Sequence, residues 1–154
     1  MSPSVPPRIV LVEDEVSLAT LLVRYLKRLN LDAICYRQPA EALEALRAQP
    51  ADLLVTDLTL GHEDGAVLAK AALDLQPHLC VLLMSGYPYQ PTGFPEAARV
   101  AFLQKPFLPN MLHAEIERLL ADRPQAPEEA DQPPVIASAD SSLAAKLSPD
   151  SDQS

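Results

Sequence analysis

Basic residues are scarce in this chain: 12 Lys and Arg stand against 21 Asp and Glu over 154 residues, a formal charge of −9. A nucleic-acid backbone calls for a basic face, so direct binding of DNA or RNA is not expected. Docking on an anionic membrane is excluded on the same ground. Long apolar runs are missing as well; no stretch reaches the roughly 18 residues that a membrane span needs. Trp is absent and aromatics make up 5% of the chain, so a core must be built from Leu, Val, Ile and Ala. The cysteines are two, Cys35 and Cys80, both inside apolar runs and without CxxC or metal-ligand spacing. They read as small buried side chains. Residues 1–8 carry Pro and Ser but no charged start and apolar middle, so they do not resemble a signal peptide. The expectation is a soluble, cytoplasmic protein, of a length that suits one domain.

Proline is plentiful, and its placement divides the chain. Up to about residue 121, short β-branched and leucine-rich runs alternate with helical patterns. Strands are expected at 9–12, 33–36, 52–56, 79–84 and 100–103. Helices are expected at 16–29, 40–48, 66–75 and 110–120. Leu18, Leu22, Tyr25, Leu26 and Leu29 share one side of the first, which ends in Arg24, Lys27 and Arg28, as the helix dipole favours. Between the fourth and fifth strands, Pro88, Pro91 and Pro95 intervene. Proline inside a helix costs about 3 kcal/mol or more, so this fourth helix should be short or irregular. From 122 to 154, Pro, Ala, Ser and acidic residues prevail, which reads as a disordered tail with one short helical stretch at 141–147. The domain proper is thus 7–121. Strand–helix alternation repeated five times implies an α/β fold, a doubly wound parallel sheet with helices on both faces. Such folds bind ligands beyond the C-terminal ends of the strands.

Those ends carry Glu13 and Asp14, then Asp57, then Ser85, then Lys105. Singly, each has an ordinary reading: a helix start, a turn, a surface loop. Parallel strands, however, bring successive ends to one edge of the sheet. Crowded carboxylates repel, and a hard divalent cation with oxygen ligands offsets that cost, Mg²⁺ being suited to a phosphoryl group. A carboxylate can act as a nucleophile and form an acyl phosphate, a lysine can stabilise the transferring charge, and the Ser85 hydroxyl can hydrogen-bond a phosphate oxygen.

The segments IVLVEDEVSL, DLLVTDLTLGHEDG, LLMSGY and AFLQKPF, lying in this order, resemble the response-regulator receiver domain of two-component signalling. The SGY and LQKPF wording is similar to receivers of the hybrid-histidine-kinase type. The resemblance implies a flavodoxin-like sheet of order 2-1-3-4-5. It makes Asp57 the phosphoacceptor, Asp14 a direct Mg²⁺ ligand, Glu13 a ligand acting through water, and Thr59 the donor of a backbone carbonyl to the metal. Ser85 becomes the switch hydroxyl, Lys105 the phosphate-binding lysine, and Phe102 the aromatic rotamer switch. The implied donor is a sensor histidine kinase or histidine phosphotransfer protein, with an output protein that the sequence does not name. The implied assembly is a monomer or a phosphorylation-dependent dimer, and the implied role is a signalling phosphoacceptor rather than an enzyme.

Four departures from the family pattern stand out. Gly61 replaces a frequent proline, Glu13 a common Asp, and Phe102 lacks the hydroxyl of Tyr. The proline-rich 88–95 stretch also undercuts the helix that usually helps form the signalling face. Two rival classes remain. A haloacid-dehalogenase-like phosphatase would carry a second Asp where Thr59 stands, and a shape-only binding module would not need the full acidic set. His62, His78 and His113 are scattered; Glu63 and Asp64 read as caps of the third helix. No output domain is expected within the tail, which leaves a stand-alone receiver, a phosphorelay carrier or part of a longer protein.

Overall fold

The computed structural model describes residues 5–122. The tail expected from 122 onward, with its helical stretch at 141–147, therefore lies outside the described residues, save for Asp122, which ends the last helix. Five strands build one parallel sheet: β1 (Arg8–Val12), β2 (Asp32–Tyr36), β3 (Leu53–Asp57), β6 (Cys80–Ser85) and β7 (Arg99–Gln104). Their order is β2-β1-β3-β6-β7, the expected 2-1-3-4-5 of the five main strands. A two-stranded antiparallel hairpin, β4 (Thr59–Leu60) with β5 (Glu63–Asp64), follows β3. The sequence showed only a loop there; two-residue strands are too short for a period-2 pattern. Gly61 turns the hairpin at φ 63°, in the left-handed region where glycine carries no steric penalty.

Strand side chains alternate between two cores. Ile9, Leu11, Leu53, Val55, Cys80, Leu82 and Met84 face one. Leu22 and Leu26 of α1 (Val16–Arg28) and Leu112, Ile116 and Leu119 of α4 (Pro109–Asp122) close it. Val10, Val12, Leu54, Val81 and Leu83 face the other, closed by Ala42 and Leu46 of α2 (Pro39–Ala48) and Leu68, Ala69, Ala72 and Leu73 of α3 (Gly65–Leu75). This two-sided burial explains why β1, β3 and β6 read as continuous apolar runs rather than alternating ones. Each buried Leu or Ile contributes about 1.5–3 kcal/mol. Both cysteines are free thiols; Cys80 is buried and Cys35 half-buried. Among the described residues, no helix is long and apolar enough to cross a membrane.

Local signals set the helix ends. After α1, Asn30 adopts φ 63°, its N–H donates to the Lys27 carbonyl, and the Leu31 N–H donates back to Leu26. That pairing satisfies two carbonyls at the C-terminus. Pro39 opens α2. Asp64 caps α3, its carboxylate accepting the Ala66 N–H at 2.8 Å. Glu63 instead belongs to β5. Between β6 and β7, residues 86–98 form no helix. Three prolines there remove N–H donors, and the crossover is an irregular strap whose Tyr89, Phe94 and Ala98 pack on the second core.

Candidate functional site

Parallel pairing sets β1, β3 and β6 side by side, Val12 facing Thr56 and Asp57 facing Met84 in register. Their C-terminal ends, with that of β7, form one rim. Glu13, one residue past β1, is 1% exposed, and Asp57, the last residue of β3, is 8% exposed. Asp14 is exposed beside them. Carboxylate oxygens of Glu13, Asp14 and Asp57 all lie within 4.8 Å of one another. Lys105, just past β7, bridges two of these acids: its Nζ donates to Asp57 Oδ2 at 2.9 Å and to Glu13 Oε1 at 3.1 Å. The pairs span 48 and 92 positions of sequence.

The surrounding backbone holds these groups in place. The Glu15 N–H donates to Glu13 Oε2 at 3.1 Å, and the Thr59 N–H approaches Asp57 Oδ1 at 3.4 Å. Ser85 is buried at the end of β6; its Oγ accepts the Tyr87 N–H at 3.0 Å, and its carbonyl accepts the Lys105 N–H at 2.8 Å. The Lys105–Pro106 peptide is cis. Phe102 stands back from the carboxylates on β7, half-buried, with its ring centroid 5.9 Å from that of Tyr89.

Electrostatics follow from this burial. Desolvation holds the Glu13 carboxyl above its ordinary range, against the Glu15 N–H and Lys105, which work the other way. Burial alone would lower the Lys105 ammonium. The hydrogen bond to Asp57 and the charges of Glu13 and Asp57 outweigh it, and the group stays cationic above its ordinary range. Both directions hold together because Glu13 is sealed from water while the Lys105 side chain keeps 23% exposure. Removing that cation leaves two adjacent buried carboxylates. Lys105→Ala should thus lose about 1–3 kcal/mol of stability in chelator. Urea unfolding of the two proteins checks this; equal midpoints would refute it.

The structure brings Glu13, Asp14, Asp57 and Lys105 into one cluster. Thr59 and Ser85 line a cleft of about 420 Å³ with Tyr87 and Tyr89. His62, at the hairpin tip, lines that cleft too, whereas His113 pairs with Glu117 on α4 and its ring meets Tyr25 edge-on. One supporting residue escaped the sequence reading. Gly65, which opens α3, donates its N–H to the Leu58 carbonyl at 2.8 Å. A Cβ there would overlap the Asp57 carbonyl oxygen and fall 2.9 Å from its carbon. In the sequence Gly65 reads only as the far end of the loop that Gly61 begins.

A doubly wound parallel sheet with acidic side chains and a lysine gathered at its strand ends defines the class: a flavodoxin-like α/β domain whose strand ends carry an acidic cluster able to hold a metal ion. The family model of the response regulator receiver domain matches residues 9–117, and the chain belongs to that family. It is 32% identical over 117 residues to the response regulator receiver protein CpdR of Brucella abortus, covering 73% of this chain and 96% of that one. The transcriptional regulatory protein ZraR of Escherichia coli is 30% identical over 133 residues, which are 84% of this chain but 30% of ZraR. Among solved structures, the receiver domain of the hybrid histidine kinase CckA superposes with a TM-score of 0.63 at 29% identity, over 73% of this chain and 98% of that one. The chain is accordingly a two-component receiver, a signalling module.

Proposed function

We propose that Asp57 is the phosphoacceptor of this receiver and that its donor is a phosphohistidine on a sensor histidine kinase or a histidine phosphotransfer protein. The observation that carries the reading is the lysine bridge: Lys105 Nζ sits 2.9 Å from Asp57 Oδ2, at a buried carboxylate flanked by two others. An Asp57 oxygen forms the new O–P bond as the P–N bond to the donor imidazole breaks, the electron pair staying on nitrogen. Lys105 supplies a fixed cation where charge develops on the phosphoryl oxygens. Ser85, once its hydroxyl turns from the Tyr87 N–H, donates to a phosphoryl oxygen. Phe102 then fills the space vacated behind it, and the two-state surface around β7 shifts its population. Output passes to a protein partner; the acidic surface does not suit nucleic acid, and the chain acts as a monomer or a phosphorylation-dependent dimer in the cytoplasm.

The donor set fits Mg²⁺. Carboxylate oxygens of Glu13, Asp14 and Asp57 within 4.8 Å of one another are hard ligands of the right type. Asp14 and Asp57 would hold the ion directly, Glu13 through water, and Thr59 by its backbone carbonyl. Bound there, it supplies positive charge that offsets the phosphoryl oxygens. The remaining chemistry is that of the chain itself, which orients Asp57 and presents Lys105. No second carboxylate stands at Thr59 to serve as general acid, which separates this site from an ester phosphatase.

Incubation with acetyl phosphate and Mg²⁺, followed by intact mass and peptide mapping, tests the proposal. One alkali-labile phosphoryl group should appear on the peptide bearing Asp57, and chelator should prevent it. No adduct at short times, together with no response to beryllofluoride, would leave a module that binds by shape alone.

A further inference from the structure

The few basic residues of this acidic chain are not spread evenly. α1 carries Arg24, Lys27 and Arg28 and no acidic residue. The helix dipole favours cations in the last turn, which accounts for Lys27 and Arg28. Arg24 stands a turn further in, exposed to water, where the dipole does little for it. Ion pairing does not account for it either. Among the described residues, the side chains of Arg24, Lys27 and Arg28 have no hydrogen-bond or ion-pair partner. Elsewhere the pattern differs: Arg47 pairs with Glu44 on α2, and Arg118 with Glu115 on α4. Arg24 instead has like charges three and four positions further on, an arrangement that repels.

Two of these cations rim a groove of about 360 Å³ between α1 and β2. Thr20, Val23, Arg24 and Lys27 of the helix line it, with Ile34 and Cys35 of the strand. β2 has β1 as its one neighbour in the sheet, so the groove opens along a free sheet edge. Ile34, a large apolar side chain, is 41% exposed there, and Val23 and Cys35 are half-buried. No acidic residue lines this groove. The clefts at the strand ends are of the opposite kind: one has Glu63 and Asp64 in its wall, another Asp14, Glu41 and Glu63. An apolar floor under a cationic rim is thus set into a protein whose formal charge is −9.

We propose that the groove between α1 and β2 is a docking site for a segment of a partner protein in which carboxylates alternate with apolar side chains. The carboxylates meet Arg24 and Lys27, and the apolar side chains cover Val23 and Ile34. The charge of the whole chain repels such a segment, so the same electrostatics that attract it to the groove keep it off the remaining surface. Nucleic acid and anionic membrane call for a broader basic face than Arg24, Lys27 and Arg28 supply. The groove stands apart from the phosphoacceptor site. α1 starts beside Glu13 and Asp14 and runs back toward the beginning of β2, which is parallel to β1. Arg24 and Lys27 therefore lie in the half of the helix directed away from Asp57. A partner seated there leaves the strand ends open to a phosphodonor, so recruitment and phosphorylation can proceed on one molecule at once.

Fluorescence anisotropy of the full chain with a short fluorescein-labelled peptide of alternating Glu and Leu tests the site. The peptide should bind, its counterpart with Gln for Glu should bind more weakly, and added salt should weaken the complex. Arg24→Gln and Lys27→Gln should each lower the affinity roughly two- to fivefold, the size expected for an exposed ion pair. Both side chains are exposed and unpaired among the described residues, so the fold should be kept. Arg47→Gln changes the net charge equally on α2 and should bind as the parent does. Asp57→Asn should bind as the parent does too, which keeps this result separate from the phosphoacceptor reading. Iodoacetamide places the peptide: Cys35 lines the groove while Cys80 is buried, so saturating peptide should slow labelling at Cys35, read by peptide mapping. No binding, equal affinity for the parent and both α1 variants, or unchanged labelling of Cys35 overturns the proposal. A labelled DNA duplex that binds the parent more tightly than the peptide, and loses affinity in the same two variants, overturns it as well and assigns the face to nucleic acid.

Discussion

Asp57→Asn should abolish the phosphoryl adduct from acetyl phosphate while leaving the chain folded. Asn keeps the shape of the side chain and an oxygen for the Thr59 N–H, which now lies 3.4 Å from Asp57 Oδ1. It loses the anionic nucleophile, and an amide oxygen does not form a stable phosphoryl ester under these conditions. Lys105 retains Glu13 as partner at 3.1 Å, so its charge stays compensated. One like charge also leaves a crowded acidic site, which relieves repulsion in the metal-free protein. The expected signature is therefore a large functional loss with little loss of stability, read by intact mass and by urea unfolding side by side. Mg²⁺ binding should weaken too, because one of three carboxylates is gone. A phosphoryl group that still appears on the variant would place the acceptor on another residue and overturn the assignment.

Gly65→Ala should be the most damaging single methyl group that can be added near the site. Adding Cβ to a glycine at a helix start usually helps, by about 0.5–1 kcal/mol, because alanine loses less backbone freedom on folding. At Gly65 the new carbon would overlap the Asp57 carbonyl oxygen and approach the Asp57 carbon at 2.9 Å and Leu58 Cα at 3.0 Å. All three are backbone atoms, of buried Asp57 at the end of β3 and of Leu58 just past it, so no flexible side chain can move aside. Overpacking of this kind costs about 1–3 kcal/mol, which outweighs the entropic gain. Relief requires α3 or the end of β3 to move, and the Gly65–Leu58 hydrogen bond at 2.8 Å couples the two. Either way the Asp57 carboxylate shifts against Lys105. A displacement near 1 Å costs about a hundredfold in rate, so phosphorylation by acetyl phosphate should slow well beyond what the stability loss accounts for. Gly86→Ala is the control, since a Cβ there meets nothing within 4 Å. Parent-like unfolding and phosphorylation of Gly65→Ala would show that the close approach has no part in holding the site.

The two variants test different layers of one arrangement. Asp57 was legible from sequence because a strand pattern of buried Leu and Val ends on it, and because the same thing happens at Glu13 and Asp14, at Ser85 and at Lys105. The proline-bearing stretch after Ser85 was legible for an equally local reason. Proline fixes φ and removes a donor wherever it occurs, and 86–98 indeed forms no helix. Strand limits moved by a residue, Asp57 itself completing β3 and Arg99 opening β7. Such ends depend on pairing with a neighbour, which a single segment does not contain.

What the sequence determined alone is therefore the alternation of elements, the two-faced burial of the central strands and the chemical kind of each residue at their ends. These follow from periodicity, from backbone preference and from side-chain chemistry, all properties of short stretches. Tertiary structure decided the rest. It decided that Lys105 reaches Glu13 as well as Asp57 across 92 positions, that α3 comes so close to Asp57 that residue 65 has no room for a Cβ, and that Tyr87 and Tyr89 are tied to Ser85 and Phe102. Those contacts depend on how parallel strands register and how far each connection travels before the chain returns. They are fixed by the joint packing of both cores, and no local pattern carries that information.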